Sequence, residues 1–352
     1  MRSIFARRTG RDHGQILVIF TLMLVVMILV AGLVVDGGSA FLNRRDTQNS
    51  ADIGALAGTK RLADYYVHAT AFTASDNAYT AIATRMTQNG CTATSNCTWT
   101  AHYIGPRTGA TFQDLGLVGQ NDAVVPGAVS GQQAMGIKVD VAKVARTYFL
   151  GVIGQSNWNI NTTATAISGQ PNGAPAGQIL PIALVNPPTM DEGSIYALTN
   201  GSNGPGNFGW LSWTGANSAG SLATSLCTPD NPAFTLPAQF PGDPGTTNAI
   251  DVRNCLQHWV LNQQTVLIPI VLPSNDPNAP AGCTTGGNGN NFHYCIVALA
   301  AFVIVSYSQP AVDQINGRFV GTIPYSIGDS VPGGLTGPPA PNSGFYFMGL
   351  AQ

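Results

Sequence analysis

"GQILVIFTLMLVVMILVAGLVVDGGSAFLNRRDTQNSADIGALAG", Gly14 to Gly58, changes character at Asp36. Before that point, from Ile16 to Val35, 20 residues carry one polar side chain, Thr21. Wound as a helix at about 1.5 Å per residue, the run spans roughly 30 Å, the hydrocarbon thickness of a bilayer. A secretory apolar core is about 7–15 residues long and leads to a small-residue cleavage site, so this longer run reads as a retained transmembrane helix. Arg2, Arg7, Arg8 and Arg11 precede it against Asp12, and only Arg44 and Arg45 follow closely. That excess places residues 1–15, a basic segment, in the cytoplasm and the chain beyond Asp36 outside.

Composition agrees with an exported bulk. The 352 residues are 9% charged, with 41 Gly and 23 Pro, against about 25% charge in an average soluble domain. After Arg61 the only basic residues are Arg85, Arg107, Lys138, Lys143, Arg146, Arg253 and Arg318. Such a chain has no electrostatic footprint for nucleic acid. All six cysteines (Cys91, Cys97, Cys227, Cys255, Cys283 and Cys295) lie beyond the span. In an oxidising compartment an even count reads as three disulfides, and 15 connectivities are open. Local pairing, 91 with 97, 227 with 255 and 283 with 295, is favoured because each pair brackets a turn-rich stretch. A zinc site at "CTTGGNGNNFHYC", with His293 beside Cys295, is the competing reading, although the chain has no C-x-x-C.

Beyond Asp36, residues 36–90 contain no Pro and place Phe41, Ile53, Leu56, Leu62, Tyr65, Tyr66, Phe72 and Tyr79 at loosely helical spacing. A long helix is expected there, either continuous with the span or restarting after Gly37–Gly38. Ala51, Gly54, Ala55, Ala57 and Gly58 form a small-residue group that would allow a partner helix to approach closely. The alternative is that alanine is simply a good helix former. On the packing reading, leucine at Gly54 or Gly58 should spare membrane insertion and block partner binding.

This N-terminal segment resembles the TadE/TadG-like proteins of tight-adherence (Flp-type) pilus assembly. The resemblance rests on Gly14–Gln15 before the span, Val35–Asp36 with Gly38, Arg44 with Gln48, and Ala51–Asp52 with Ala55–Leu56–Ala57–Gly58. It covers about 50 residues and implies a bacterial envelope protein working beside other pilus or envelope assembly proteins, with self-association a further option. Two properties of related proteins do not carry over. The metal-binding Asp-x-Ser-x-Ser pattern of large TadG-type members is not matched at Asp36–Ala40. The Glu expected at the fifth position after a pseudopilin cut would be Ile19 if cleavage followed Gly14.

The remainder reads as predominantly β. "MGIKVDVAKVARTYFL" alternates Ile137, Val139 and Val141, and "NWNINTTATAIS" pairs with it as a hairpin across "GVIGQSN". Residues 91–168 form a first β-rich module, 169–178 ("GQPNGAPAGQ") a linker, and 179–352 a second β-rich module. In the second, "CIVALAAFVIVSY" is too short to cross a bilayer and reads as a buried strand. Residues 252–264 are its one expected helix.

Chemistry is sparse. His13, His68, His102, His258 and His293 are scattered, and no G-x-S-x-G, P-loop or H-E-x-x-H pattern occurs. Asp191, Glu192 and Asp243 sit in turn settings. Asp276, between Asn275 and Asn278, reads as a turn former rather than a calcium ligand. For Trp210 and Trp213, core packing of at least one is favoured over a glycan platform. The expected fold is α+β: one transmembrane helix continuing into a long helix, then a disulfide-stabilised β ectodomain in two modules. No catalytic, cofactor or metal site is expected. Two functions compete: a non-enzymatic structural or assembly component of a Tad-like pilus or envelope system in the inner membrane, and a membrane-anchored adhesin or carbohydrate-binding module.

Overall fold

A computed structural model describes residues 13–67, 71–108, 111–123, 133–185, 190–199, 209–243, 249–277, 279–324, 335–336 and 346–351. The basic residues Arg2 to Arg11, and with them the orientation argument, lie outside these residues, as does His68. The chain opens with helices α1 (His13–Val67) and α2 (Ala78–Gln88). Strands β1 (Cys97–Thr108), β2 (Thr111–Leu117), β3 (Gly136–Arg146), β4 (Asn157–Pro171), β5 (Gly173–Ala174), β6 (Leu184–Val185) and β7 (Ile195–Thr199) follow. Helix α3 (Ala219–Cys227) leads to β8 (Phe234–Thr235), β9 (Ala238–Pro241) and helix α4 (Ile250–Asn262). The last strands are β10 (Thr265–Val271), β11 (His293–Tyr307), β12 (Ile315–Val320), β13 (Thr322–Pro324), β14 (Leu335–Thr336) and β15 (Tyr346–Ala351). The expected α+β class is what forms.

Two compact units divide these elements. One is Met1–Ala51, Met86–Thr100 and Asp140–Thr163; the other is Asp52–Arg85, Ala101–Val139 and Ala164–Gln352. Helix α1 runs unbroken for 55 residues, through Gly37 and Gly38. No side chain or backbone atom comes within 4 Å of where a Cβ would stand on either glycine, so nothing there competes with the helix.

The helix expected over 36–90 is two helices. The first ends at Val67, and Asn77 starts the second: its Oδ1 accepts the Thr80 amide at 3.0 Å, an N-cap within the second unit. The connecting segment is held by Arg61, which is buried. Its Nε meets Asp76 Oδ1 at 2.8 Å and Nη2 donates to the carbonyls of Ala71 (3.1 Å) and Asp76 (3.0 Å). The guanidinium also lies 4.7 Å from the centre of the Phe72 ring.

In the second unit the helix is bonded to the sheet through the hydroxyls of Tyr346, which donates to Asp64 Oδ1 at 3.0 Å, and of Thr59. Thr59 Oγ1 accepts the Ile137 amide and donates to the Ala166 carbonyl, both at 3.1 Å. Close approach of β3 and β4 is allowed by Gly136, where a Cβ would lie 2.0 Å from the Ala166 carbonyl oxygen. The sheet order is β13-β15-β4-β3-β1-β2, with β14 also pairing with β4. The alternation in β3 buries Ile137, Val139, Val141 and Ala145.

Two expectations about segments change here. Residues 169–171, read as linker, are the end of β4. Residues 346–351, read as part of the second module, form β15 and pair antiparallel with β4 from Phe347↔Gly169 to Ala351↔Thr165. A Pro- and Gly-rich composition around 169–178 suggested punctuation, but Gly169 and Pro171 both fit a strand whose partner arrives from the far end of the chain.

The second sheet has the order β6-β10-β11-β12-β7, with β9 also on β11. Its centre, β11, is the apolar run read as a strand, buried continuously from Leu299 to Ile304 because both faces are covered. Helix α4 matches the expected helix within its ends and buries Val252, Cys255 and Leu256. Helix α3 was not expected; Ser218 caps it by accepting the Ser221 amide at 3.1 Å, and Leu222 and Leu226 are its buried face. Disulfides join Cys91 to Cys97, Cys227 to Cys255 and Cys283 to Cys295. With Cys283 and Cys295 bonded to each other, neither offers a thiolate to zinc. Trp210 and Trp213 are both buried in the core, which removes them as a glycan platform.

Candidate functional site

The features that concentrate in one place belong to the first unit, where the apolar span of α1 ends. From Ile16 to Val35 every residue is exposed except Gly32, with Phe20, Met27 and Val34 at 62%, 71% and 69% exposure. A core helix of a soluble fold would be covered; this one presents apolar side chains all round, as a helix in lipid does. Among the described residues, one helix is thus long and apolar enough to cross a membrane.

One residue beyond Val35, Asp36 is buried at 1% exposure. Its carboxylate accepts three consecutive backbone amides: Tyr148 at 2.8 Å, Phe149 at 2.9 Å and Leu150 at 2.7 Å. These amides open the short 3-10 turn Leu150–Ile153, and the first N–H groups of any such turn lack partners of their own. Asp36 supplies them from α1, with a charged acceptor that makes each bond stronger than a neutral one. Gly32, one turn earlier, faces the same segment: a Cβ there would lie 2.6 Å from Phe149 Cβ and Cγ. Only a glycine lets the Phe149 ring lie on the helix.

The segment is a closed turn at the end of the β3–β4 hairpin. The Thr147 amide donates to the Ser156 carbonyl at 3.0 Å, Gln155 N donates to Leu150 O at 3.0 Å, and the Thr147 hydroxyl donates to the Gln155 carbonyl. Gly154 takes φ 95°, the left-handed geometry that ends the turn. Two further links tie this unit together. Gln48 Nε2 donates to the Thr163 carbonyl at 3.2 Å, and the Thr163 hydroxyl donates to Asp140 Oδ1 at 2.5 Å. Between the helix and β4 lies an open groove of about 460 Å³, lined by Ala40, Phe41, Arg44, Trp158, Asn159, Ile160 and Asn161.

The family model for Tad, putative Flp pilus-assembly TadE/G-like, matches residues 14–75. The N-terminal segment is TadE/G-like. No curated protein and no solved structure matches the chain. Several positions of the TadE/G-like pattern have defined places within single units of this chain. Asp36 holds the 148–150 amides, Arg44 lines the groove, and Gln48 bonds β4. Gly58 packs so that a Cβ would come within 2.8 Å of Ile82 Cγ1 and Ile137 Cδ1.

The five small residues singled out from the sequence are unequal. Ala51, Gly54, Ala55 and Gly58 are buried and Ala57 is half-buried. At Gly58 the close neighbours are this chain's own Ile82 and Ile137, so a leucine there would disturb the fold before it could report on a partner. From the sequence, 148–150 belonged to the strand stretch and 151–157 to the hairpin turn, whereas β3 ends at Arg146; Asp36 was given no structural role. A signal was available: "TYFLGVI" places an apolar run where a hairpin turn is ordinarily polar. Among the described residues no three His, Cys, Asp or Glu side chains gather as metal ligands. His102 pairs with Asp114 at 2.9 Å, and the other described histidines stand apart from it.

Proposed function

We propose that the chain is a membrane-anchored structural or assembly component of a Tad-like pilus or envelope system, without enzymatic activity of its own. The observation that carries this reading is the coincidence of the TadE/G-like match at residues 14–75 with a span exposed all round from Ile16 to Val35. On this reading residues 16–35 cross the inner membrane once, the Arg2–Arg11 cluster stays cytoplasmic, and the β-rich bulk is extracytoplasmic. Three disulfides are in keeping with an oxidising compartment. Partners are other assembly proteins of the same envelope system, reached through the membrane or the ectodomain. Affinity purification from membranes in mild detergent tests the proposal, with a sheared-filament fraction run beside it. Recovery of other envelope-assembly proteins with the full chain is expected. A chain recovered alone from both fractions, at native expression, overturns it.

A further inference from the structure

We propose that the turn Thr147–Gly154 is a second membrane contact: an apolar tip that enters the interface of the leaflet where the α1 span ends, clasped to that helix by Asp36. The proposal rests on the anchor reading above and adds a site to it.

Three observations converge on the tip. The first is composition against exposure. Tyr148 is 71% exposed, Phe149 44% and Val152 85%, in a turn of eight residues that contains no charged side chain. Hairpin turns in water are built from polar residues. Exposed apolar side chains confined to one turn call for something to cover them. The second observation is level. Phe149 lies against Gly32, inside the apolar run and about 4.5 Å before its end at Val35 by helical rise. Whatever surrounds the last turn of the span therefore surrounds Phe149 as well, and for a span exposed all round that medium is lipid. The third is residue type. Tyrosine and phenylalanine at the tip, with exposed Arg146 just before it, are the side chains that settle at the boundary between acyl chains and headgroups.

Asp36 makes the placement rigid. A carboxylate at the edge of the hydrocarbon would be costly to hold unpaired, yet here three amides at 2.7–2.9 Å satisfy it. The same bonds remove three bare N–H groups from the face of the tip that meets the helix, and bare backbone polar groups are what bar turns from lipid. The clasp thus does two things at once: it satisfies the carboxylate with hydrogen bonds in place of water and makes the turn fit to enter the interface. The anchor becomes two-point, a helix and a tip, which fixes the rotation of the first unit about the helix axis.

Spin labels on the full-length chain in vesicles of equal parts phosphatidylcholine and phosphatidylglycerol test this. Labels at Val152→Cys, Met27→Cys and Asn217→Cys are compared by their accessibility to oxygen, which partitions into lipid, and to a water-soluble nickel chelate. The expected oxygen-to-nickel ratio at 152 is several-fold above that at 217 and below that at 27. Adding Asp36→Ala should lower the ratio at 152 toward that at 217 and leave 27 unchanged. A label at 152 that reads like 217 while 27 reads deep overturns the tip and leaves the anchor standing. Low accessibility to both reagents at 152 means that protein covers the tip, and also overturns it. A ratio at 152 unmoved by Asp36→Ala overturns the clasp. If 27 itself reads as water-exposed, the anchor reading fails and the tip with it.

Discussion

Asp243 shows how a single buried group sets a pH response. The residue is 8% exposed, its amide donates to the Trp210 carbonyl at 2.9 Å, and burial pushes the carboxyl pKa up to about 6. In the unfolded chain the group titrates near 3.8. Between those values the folded state holds a proton that the unfolded state has lost, so stability falls as pH rises from about 4 to about 6. The full swing is up to about 3 kcal/mol. Thermal unfolding of the ectodomain should show this decline, and Asp243→Asn should flatten it; an equal slope in both proteins would discount the burial argument. Glycines make the converse case, because their worth depends on what lies near. Gly58→Leu must displace Ile82 and Ile137 and is expected to destabilise the second unit by about 1–3 kcal/mol through overpacking. Gly37→Ala and Gly38→Ala meet nothing within 4 Å, and each should stabilise α1 locally by roughly 0.5–1 kcal/mol. Hydrogen exchange of the amides around 37 and 38, and chemical unfolding for position 58, would read the opposite signs.

Among the elements, the three disulfides differ in how much chain they close. Cys227 and Cys255 are 28 residues apart and join α3 to α4, while Cys91 and Cys97 are separated by 6. Loop-closure entropy grows with the logarithm of the loop, giving about 3.5 kcal/mol for the first and about 2 kcal/mol for the second. The helix pair has a further tie, since Trp259 Nε1 donates to the Leu226 carbonyl at 2.8 Å. Replacing Cys227 and Cys255 together by serine should therefore lower the denaturation midpoint of its unit more than the 91/97 pair lowers that of its own. The reverse order would mean that α3 and α4 are held by their apolar faces alone. Helix α3 was missed in the sequence because its nine residues are mostly Ala, Gly, Ser and Thr, with Leu222 and Leu226 alone marking a helical face; the Ser218–Ser221 cap was its legible sign. The break between α1 and α2 was missed for the opposite reason. Residues 68–77 lack Pro and Gly, and the Asn77 cap at the start of α2 was the one legible sign of a new helix.

For the whole molecule the open quantity is orientation. On the proposed reading the N-terminus is cytoplasmic, because Arg2, Arg7, Arg8 and Arg11 outnumber Arg44 and Arg45 across the span. A membrane-impermeant thiol reagent should label Asn217→Cys in intact spheroplasts and leave Ser3→Cys unlabelled; labelling of Ser3→Cys alone would invert the topology. Asn217 is chosen because it is exposed, whereas Thr59 is buried and would be silent either way. What the sequence by itself determined is whatever physics imposes along the chain. A bilayer demands about 20 consecutive apolar residues, a sheet imprints alternation on β3, a doubly covered strand reads as the unbroken run of β11, and three disulfides show in the even cysteine count. Tertiary structure alone decided which distant residues satisfy one another. Asp36 finds its amides 112 to 114 residues away, Thr59 bridges β3 and β4, and β15 returns to pair with β4. Buried hydrogen-bonding groups must be paired, but no local pattern names the partner, because the choice is made only when the chain closes on itself.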